Sequence, residues 1–293
     1  MNRRHFLRSS LAASLALPFS VRALDADNPY RKNIGIQLYT LRNQIKEDLP
    51  GTIKAVAEAG YRQVEPYGFP DDTAQKLIAA ARDNGMEANS SHFAWESVTN
   101  PEKAGVPEFK AILDQAKEAG LSHLVIPYLH GDNRKTLDDY KRVADRCSAG
   151  AMAAKQVGIQ LSYHNHAFEF QPLDDAGKTG YDVFVESFAP EMEFEIDVFW
   201  VKAGGVEPAD LIRKLSNRVS QLHLKDLKEG LALPEFGKLP NDAFQELGDG
   251  IIPMEPILEA AAEANVAHCH VEQDQSPDPI ASIRQSMEHL RSL

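Results

Sequence analysis

The chain has 293 residues, of which 43% are hydrophobic, and carries a formal net charge of -12 at pH 7. That is enough apolar material for a large core, in two small domains or one α/β barrel. The acidity repels phosphate backbones and anionic lipid, and with no Lys/Arg cluster beyond the N-terminus it argues against nucleic acid as a partner.

Asn2-Arg3-Arg4-His5-Phe6-Leu7-Arg8, an apolar run from Leu11 to Phe19 and Val21-Arg22-Ala23 together resemble a twin-arginine export signal with a cleavage region. The run is too short to span a bilayer as a stable helix, so no membrane span is expected. Residues 1–24 are therefore read as an export signal, 25–32 as a connector and 33–293 as the folded part of a periplasmic or exported protein. Such export moves folded proteins, which places folding and cofactor loading before release. Cys147 and Cys269 are read as buried thiols, because two cysteines do not make a disulfide framework.

From Ile34 onward one pattern repeats: a helical stretch ends in Gly or Asn and an apolar strand follows. The stops fall at Gly60, Gly85, Gly120, Gly158 and Asn265, residue types suited to the left-handed position that closes a helix. The spacing predicts strands at Ile34 to Tyr39, Tyr61 to Glu65, Glu87 to His92 and Leu124 to Tyr128. Four more are predicted at Ile159 to His166, Phe194 to Val198, Val219 to Lys225 and Ala267 to Glu272. The clearest helix runs from Leu137 to Gln156, with Tyr140, Val143, Ala144, Cys147 and Ala151 along one side.

Eight strands separated by helices point to a single-domain (β/α)8 TIM barrel. A doubly wound open sheet would show strands apolar on both faces. Here one face is polar: Glu195 and Asp197; Gln221, His223 and Lys225; His268, His270 and Glu272. Turned inward, those faces would line a lumen that opens at the C-terminal mouth.

The fifth strand ends in Tyr163-His164-Asn165-His166, with Glu169 three residues on. Together with Asp197, His223 and Glu272, these residues make a mixed oxygen and nitrogen set without thiolates. Such a set suits Zn, Mn, Co or Fe(II), and Mg less readily, with positions left open for substrate oxygens.

Gly35-Ile36-Gln37-Leu38-Tyr39-Thr40-Leu41-Arg42, Tyr163-His164-Asn165-His166, Ile196-Asp197-Val198-Phe199-Trp200-Val201, His223-Leu224-Lys225-Asp226, Gly248-Asp249-Gly250 and Val271-Glu272 together resemble the sugar phosphate isomerase/epimerase superfamily of xylose isomerase-like barrels. The resemblance runs from about Ile34 to the C-terminus. It implies a divalent metal held by Glu, Asp, His and Glu from strands five to eight. Asp197, His223 and Glu272 carry over, whereas His164 stands where relatives have the first Glu. Glu169 is taken as the fourth ligand because a third carboxylate better balances a divalent ion, with His164 as the alternative.

Around that set, Lys225 is read as holding a substrate hydroxyl or an oxyanion, and Asp226 as an outward loop contact. Glu65, His92, Gln37 and His164 are candidate substrate contacts at the mouth, and Trp200 a stacking surface for a sugar ring. Glu272 and Glu169, with His166 as a third candidate, are the expected acid/base groups.

The expected activity is a metal-dependent sugar isomerase or epimerase acting through an enediolate. A lyase or dehydratase on keto-glycosides or inososes is the alternative, and a non-catalytic exported sugar-binding barrel a further one. A metal-dependent endonuclease on the same barrel would need a basic face that the acidic balance opposes. The expected partner is a small carbohydrate, and the oligomeric state is left open.

Overall fold

The structure is a computed structural model that describes residues 24–25 and 27–293. The expected export signal lies outside the described residues, apart from Leu24.

Eight parallel strands form the sheet: β1 (Gly35–Gln37), β2 (Gln63–Glu65), β3 (Ser90–His92), β4 (His123–Ile126), β5 (Gln160–His164), β6 (Met192–Asp197), β7 (Val219–Leu224) and β8 (His268–Val271). Their order is β2-β1-β8-β7-β6-β5-β4-β3. The gap between β2 and β3 is closed by Val64 N–H donating to the Glu87 carbonyl (2.8 Å) and His92 N–H to the Pro66 carbonyl (2.9 Å). The result is the expected single-domain TIM barrel, its strands in the predicted places and, except for β6, shorter.

Capping chemistry accounts for much of the shortening. β1 stops at Gln37 because its side-chain oxygen accepts from Tyr39 N–H and starts a 3-10 turn over Leu38–Leu41. β6 stops at Asp197, whose carboxylate caps the helix Val198–Ala203 that follows. The helix Leu137–Gln156 matches its predicted limits and begins with a capping box between Thr136 and Asp139.

The apolar core lies between strands and helices rather than in the lumen. Leu161, Tyr163, Phe194, Ile196, Leu222 and Leu224 point outward from their strands and are fully buried. Each such side chain contributes roughly 1.5–3 kcal/mol by leaving water. Tyr163 packs edge-on against Phe184 with ring centroids 4.7 Å apart. The inward residues are mostly polar, among them Gln63, Glu65, Ser90, Glu195, Gln221, His223 and His270. Strand β1 makes room for this lining with Gly35, where a Cβ would come within 2.3 Å of the His270 ring.

Register decides which inward residues meet. His164 stands opposite Glu195 across β5 and β6, and Asp197 opposite His223 across β6 and β7. An irregularity at Phe194/Glu195 adds Ser220 to the β7 side and brings Asp197 level with His223. Beyond β7, Asp226–Leu227 pairs antiparallel with Phe244–Gln245, and this ribbon carries Phe244 to the mouth. Both cysteines are buried and unpaired. No helix of the described residues is long and apolar enough to cross a membrane.

Candidate active site

A cavity of about 570 Å³ opens at the C-terminal end of the strands. Aromatic side chains, including Tyr39, Trp95, Tyr128, Trp200 and Phe244, form its walls, and His92, His164, Lys225 and Glu272 reach it from below. This is the end of a TIM barrel where strand-end residues from several strands converge.

Three of those strand ends meet under the cavity. Candidate donor atoms of Asp197, His223 and Glu272 all lie within 4.8 Å of one another. His223 Nδ1 is 2.9 Å from Glu272 Oε2. Asp197 uses Oδ1 to accept from Phe199 and Trp200 N–H, at 3.0 and 3.1 Å. Its Oδ2 is buried without a hydrogen bond of good geometry, facing Lys225 Nζ at 3.0 Å and His164 Nε2 at 3.6 Å.

Lys225 binds this set together from above. Its ammonium lies 2.6 Å from Glu272 Oε2 and 3.0 Å from Asp274 Oδ2. Burial alone would discharge it, but the Asp197, Asp274 and Glu272 carboxylates hold its pKa well above the usual lysine range. Burial likewise opposes ionisation of Glu272, yet the Lys225 and His223 cations hold its carboxyl well below the ordinary value. Asp274 differs: burial and then the neighbouring Glu272 charge push it up to about 6 despite Lys225.

A second polar tier lies deeper. Glu65 Oε1 accepts from Gln37 Nε2 at 2.8 Å and lies 2.7 Å from His223 Nε2; Glu65 Oε2 accepts from the Ser90 hydroxyl. Glu195 Oε2 is ringed by His164 Nδ1, His92 Nε2 and His223 Nε2 at 2.9, 3.1 and 3.2 Å. Burial would raise the Glu195 pKa, but His223 and the contacts from His164 and His92 hold it well below its ordinary value.

Known proteins share this barrel. The profile of the xylose isomerase-like TIM barrel family matches residues 53–293. The chain belongs to that family. The inosose dehydratase of Clostridium beijerinckii is 24% identical over 250 residues, covering 77% of this chain and 82% of that protein. The crystal structure of a sugar phosphate isomerase/epimerase from Parabacteroides distasonis matches with a TM-score of 0.72 at 24% identity, over 89% of this chain and 94% of that one. A structure of IOLI protein with a bound zinc atom matches with a TM-score of 0.66 at 14% identity, over 89% and 98% of the two chains.

Within this xylose isomerase-like barrel the sequence-predicted residues separate into three sets and one outlier. Asp197, His223 and Glu272 come together, and His92, His164, His166, Trp200 and Lys225 line the cavity. Gln37 and Glu65 lie fully buried beneath it, bonded to each other rather than facing the cavity. Glu169 is not brought to the other three predicted ligands. Past His164 the chain turns into a short 3-10 helix, Phe168–Phe170, that returns Glu169 to the outer side of β5. There its Oε1 accepts from the Tyr163 hydroxyl (2.7 Å) and its Oε2 from His166 N–H (2.8 Å). Burial pushes its carboxyl up to about 8, against the lowering effect of those two bonds.

Asp226 points away from the cavity and fixes the Gly248-Asp249-Gly250 loop. Its Oδ2 accepts from Gly248 and Gly250 N–H, both at 3.0 Å, and Oδ1 from Ile252 N–H at 2.9 Å. Glu195 and Asp274 were missed as site residues, although each has a signal in the sequence. Glu195 lies two residues before Asp197 and shares its inward face, while Asp274 lies two residues after Glu272.

The residues fit a divalent metal. Asp197 Oδ2 has no hydrogen bond of its own, Glu272 and His223 stand beside it, and two carboxylates with one imidazole make a hard, anionic donor set.

Proposed function

We propose that the protein is a divalent-metal-dependent enzyme that acts on a small carbohydrate by moving a proton next to a carbonyl, as a sugar isomerase or epimerase. The convergence of Asp197, His223 and Glu272 on the cavity floor, with Lys225 across them, carries this reading.

Asp197, His223 and Glu272 would hold the metal. When bound, such an ion supplies electrophilic stabilisation to adjacent sugar oxygens, which makes the proton between them easier to remove. His223 is oriented for its part by Glu65, which faces Nε2 and leaves Nδ1 toward the cavity floor. Lys225 is fixed as a cation by three carboxylates, so it can hold a substrate hydroxyl or a developing oxyanion without giving up its own proton.

Two cavity groups are suited to moving the proton. Asp274, with a pKa of about 6, can exchange a proton near neutral pH. His166 is held neutral, because burial and then the nearby His164 and Lys225 lower its pKa well below the ordinary value. It sits on the β5 side of the mouth and Asp274 on the β8 side, so the two can serve different positions on one sugar. His166 stacks on Phe168 (centroids 5.3 Å) and lies 5.2 Å from Trp200, giving that wall a flat apolar surface for a ring.

Elimination from a keto-sugar is the second reading, favoured by the inosose dehydratases among the relatives. It begins with the same proton removal and differs in expelling a neighbouring substituent. Export to the periplasm is part of the proposal and rests on Asn2 to Ala23 of the sequence.

The test is to load the protein with Mn²⁺, Zn²⁺ or Co²⁺ and incubate it in deuterated water with ketoses, 3-keto-glycosides and inososes. Solvent deuterium should enter the carbon beside the carbonyl, and Asp197→Asn, which keeps a cap for the Phe199 and Trp200 N–H groups, should abolish the exchange. Absence of exchange with every substrate would sink the reading, and sugar binding unchanged in metal-free protein would make it a binding barrel instead.

A further inference from the structure

Under the Asp197–His223–Glu272 set, three side chains from other strand positions converge a second time. β3, β5 and β6 contribute His92, His164 and Glu195, with candidate donor atoms all within 4.8 Å of one another. His92 Nε2 is 3.1 Å and His164 Nδ1 2.9 Å from Glu195 Oε2, and Glu65 Oε1 stands 3.3 Å from His92 Nε2. Glu195 is fully buried, and its Oε1 has no hydrogen-bond partner. His92 and His164 both reach the cavity, so the cluster has a route to solvent.

We propose that His92, His164 and Glu195, with Glu65 beside them, form an inner position for a divalent transition-metal ion of their own. Two imidazoles and a carboxylate are a donor set that zinc, manganese, iron(II) and cobalt(II) accept. Ligand atoms bonded to such an ion at about 2.1 Å lie roughly 3.0–3.4 Å apart, close to the spacings already present. Distance also assigns the His164 ring. His164 turns Nδ1 to Glu195 at 2.9 Å and leaves Nε2 3.6 Å from Asp197, so it belongs to the inner set. His223 stands between the two: Nδ1 is 2.9 Å from Glu272 and is counted with the outer set, while Nε2 faces Glu65 at 2.7 Å and Glu195 at 3.2 Å.

Charge supports the same assignment. Glu65, Glu195, Asp197 and Glu272 are buried together with Asp274 at the rim, and among the described residues Lys225 is the one lysine or arginine that pairs with their carboxylate groups, Arg42 donating to the Asp274 backbone carbonyl instead. With His223 neutral as a metal ligand and Asp274 ionised, Lys225 and a single outer divalent ion would offset three of five carboxylates. A second divalent ion would offset the other two, and uncompensated buried carboxylates are costly.

This inference rests on the proposed function only for the outer ion, and metal stoichiometry separates the two. The full chain is loaded with Zn²⁺ or Co²⁺, freed of excess metal by gel filtration and analysed for ions per chain. Circular dichroism on each variant confirms folding. Two ions are expected in the wild type, one in Asp197→Asn, and one in both His92→Ala and Glu195→Gln. The cobalt spectra of the singly loaded variants should differ, because the ion left in Asp197→Asn has two imidazole ligands and the one left in His92→Ala has one. A single ion lost in Asp197→Asn but kept in His92→Ala and Glu195→Gln overturns the inner position and leaves the outer reading standing. A single ion with the opposite pattern supports the inner position and overturns the outer. Two ions retained in all the variants overturn the assignment of ligands.

Discussion

Glu272 and Glu169 are both buried glutamates beside the fifth-to-eighth strands, yet their surroundings push them in opposite directions. Glu272 has Lys225 at 2.6 Å and His223 at 2.9 Å, and stays ionised well below its ordinary pKa. Glu169 accepts from a phenol and from backbone N–H, with no cation in contact with it among the described residues, and burial raises it to about 8. Burial is common to the two, so a cationic neighbour is what turns a buried carboxylate into part of a reactive floor. The other becomes a support for the loop that carries His166.

The sharpest way to break this contrast is to neutralise each glutamate in turn. Glu272→Gln should lower kcat of the metal-loaded enzyme by about 10²–10⁴ through lost metal binding and lost proton handling, measured by deuterium exchange. Turnover within tenfold of wild type would remove Glu272 from the reactive floor. Lys225→Met should follow with a loss of about 10² in kcat and a smaller change in KM.

A structural carboxylate offers the next test. Asp226→Ala strands three N–H groups of the Gly248–Ile252 loop, so it should lower stability by about 1–3 kcal/mol, read as a drop in Tm. The smallest effect at neutral pH is expected from Glu169→Gln, whose signature is instead a change of slope. Below its ordinary value of 4.5 both folded and unfolded chains hold the Glu169 proton, and up to about 8 only the folded chain does. Its contribution to stability is therefore present in acid and is lost as pH rises through about 8. Glu272 has the opposite sign, contributing above its unfolded pKa and losing that contribution as pH falls toward its depressed folded value. Tm measured from pH 4.5 to 9 should fall less with pH in Glu169→Gln than in wild type; an unchanged slope would mean that Glu169 titrates normally.

The barrel was legible because its signals are local: glycine or asparagine stops, period-two strands and one polar face on each of the later ones. Asp197, His223 and Glu272 were legible for the same reason, since a strand end fixes direction and height together. Glu169 was assigned by charge balance alone, and charge balance carries no direction; the chain had already left the strand at His164. Glu195 was placed on the inward face but not in the site, because alternation gives its direction without showing the height at which three imidazoles meet it. Gln37 and Glu65 were expected at the mouth, but they end their strands one tier lower, bonded to each other and to His223 and Ser90 under the floor. The aromatic wall from Trp95, Tyr128 and Phe244 comes from loops, where spacing along the chain says little about position in space.

The polar lining of the lumen has a consequence for how this chain can change. A barrel filled with branched aliphatic side chains is held from the inside and resists substitution there, whereas this one is held by the layer between its strands and its helix ring. Adhesion and reactivity occupy opposite sides of the same eight strands. Altering what the interior does therefore need not disturb what keeps the cylinder closed, and a new reaction can be reached by exchanging a few inward side chains one at a time.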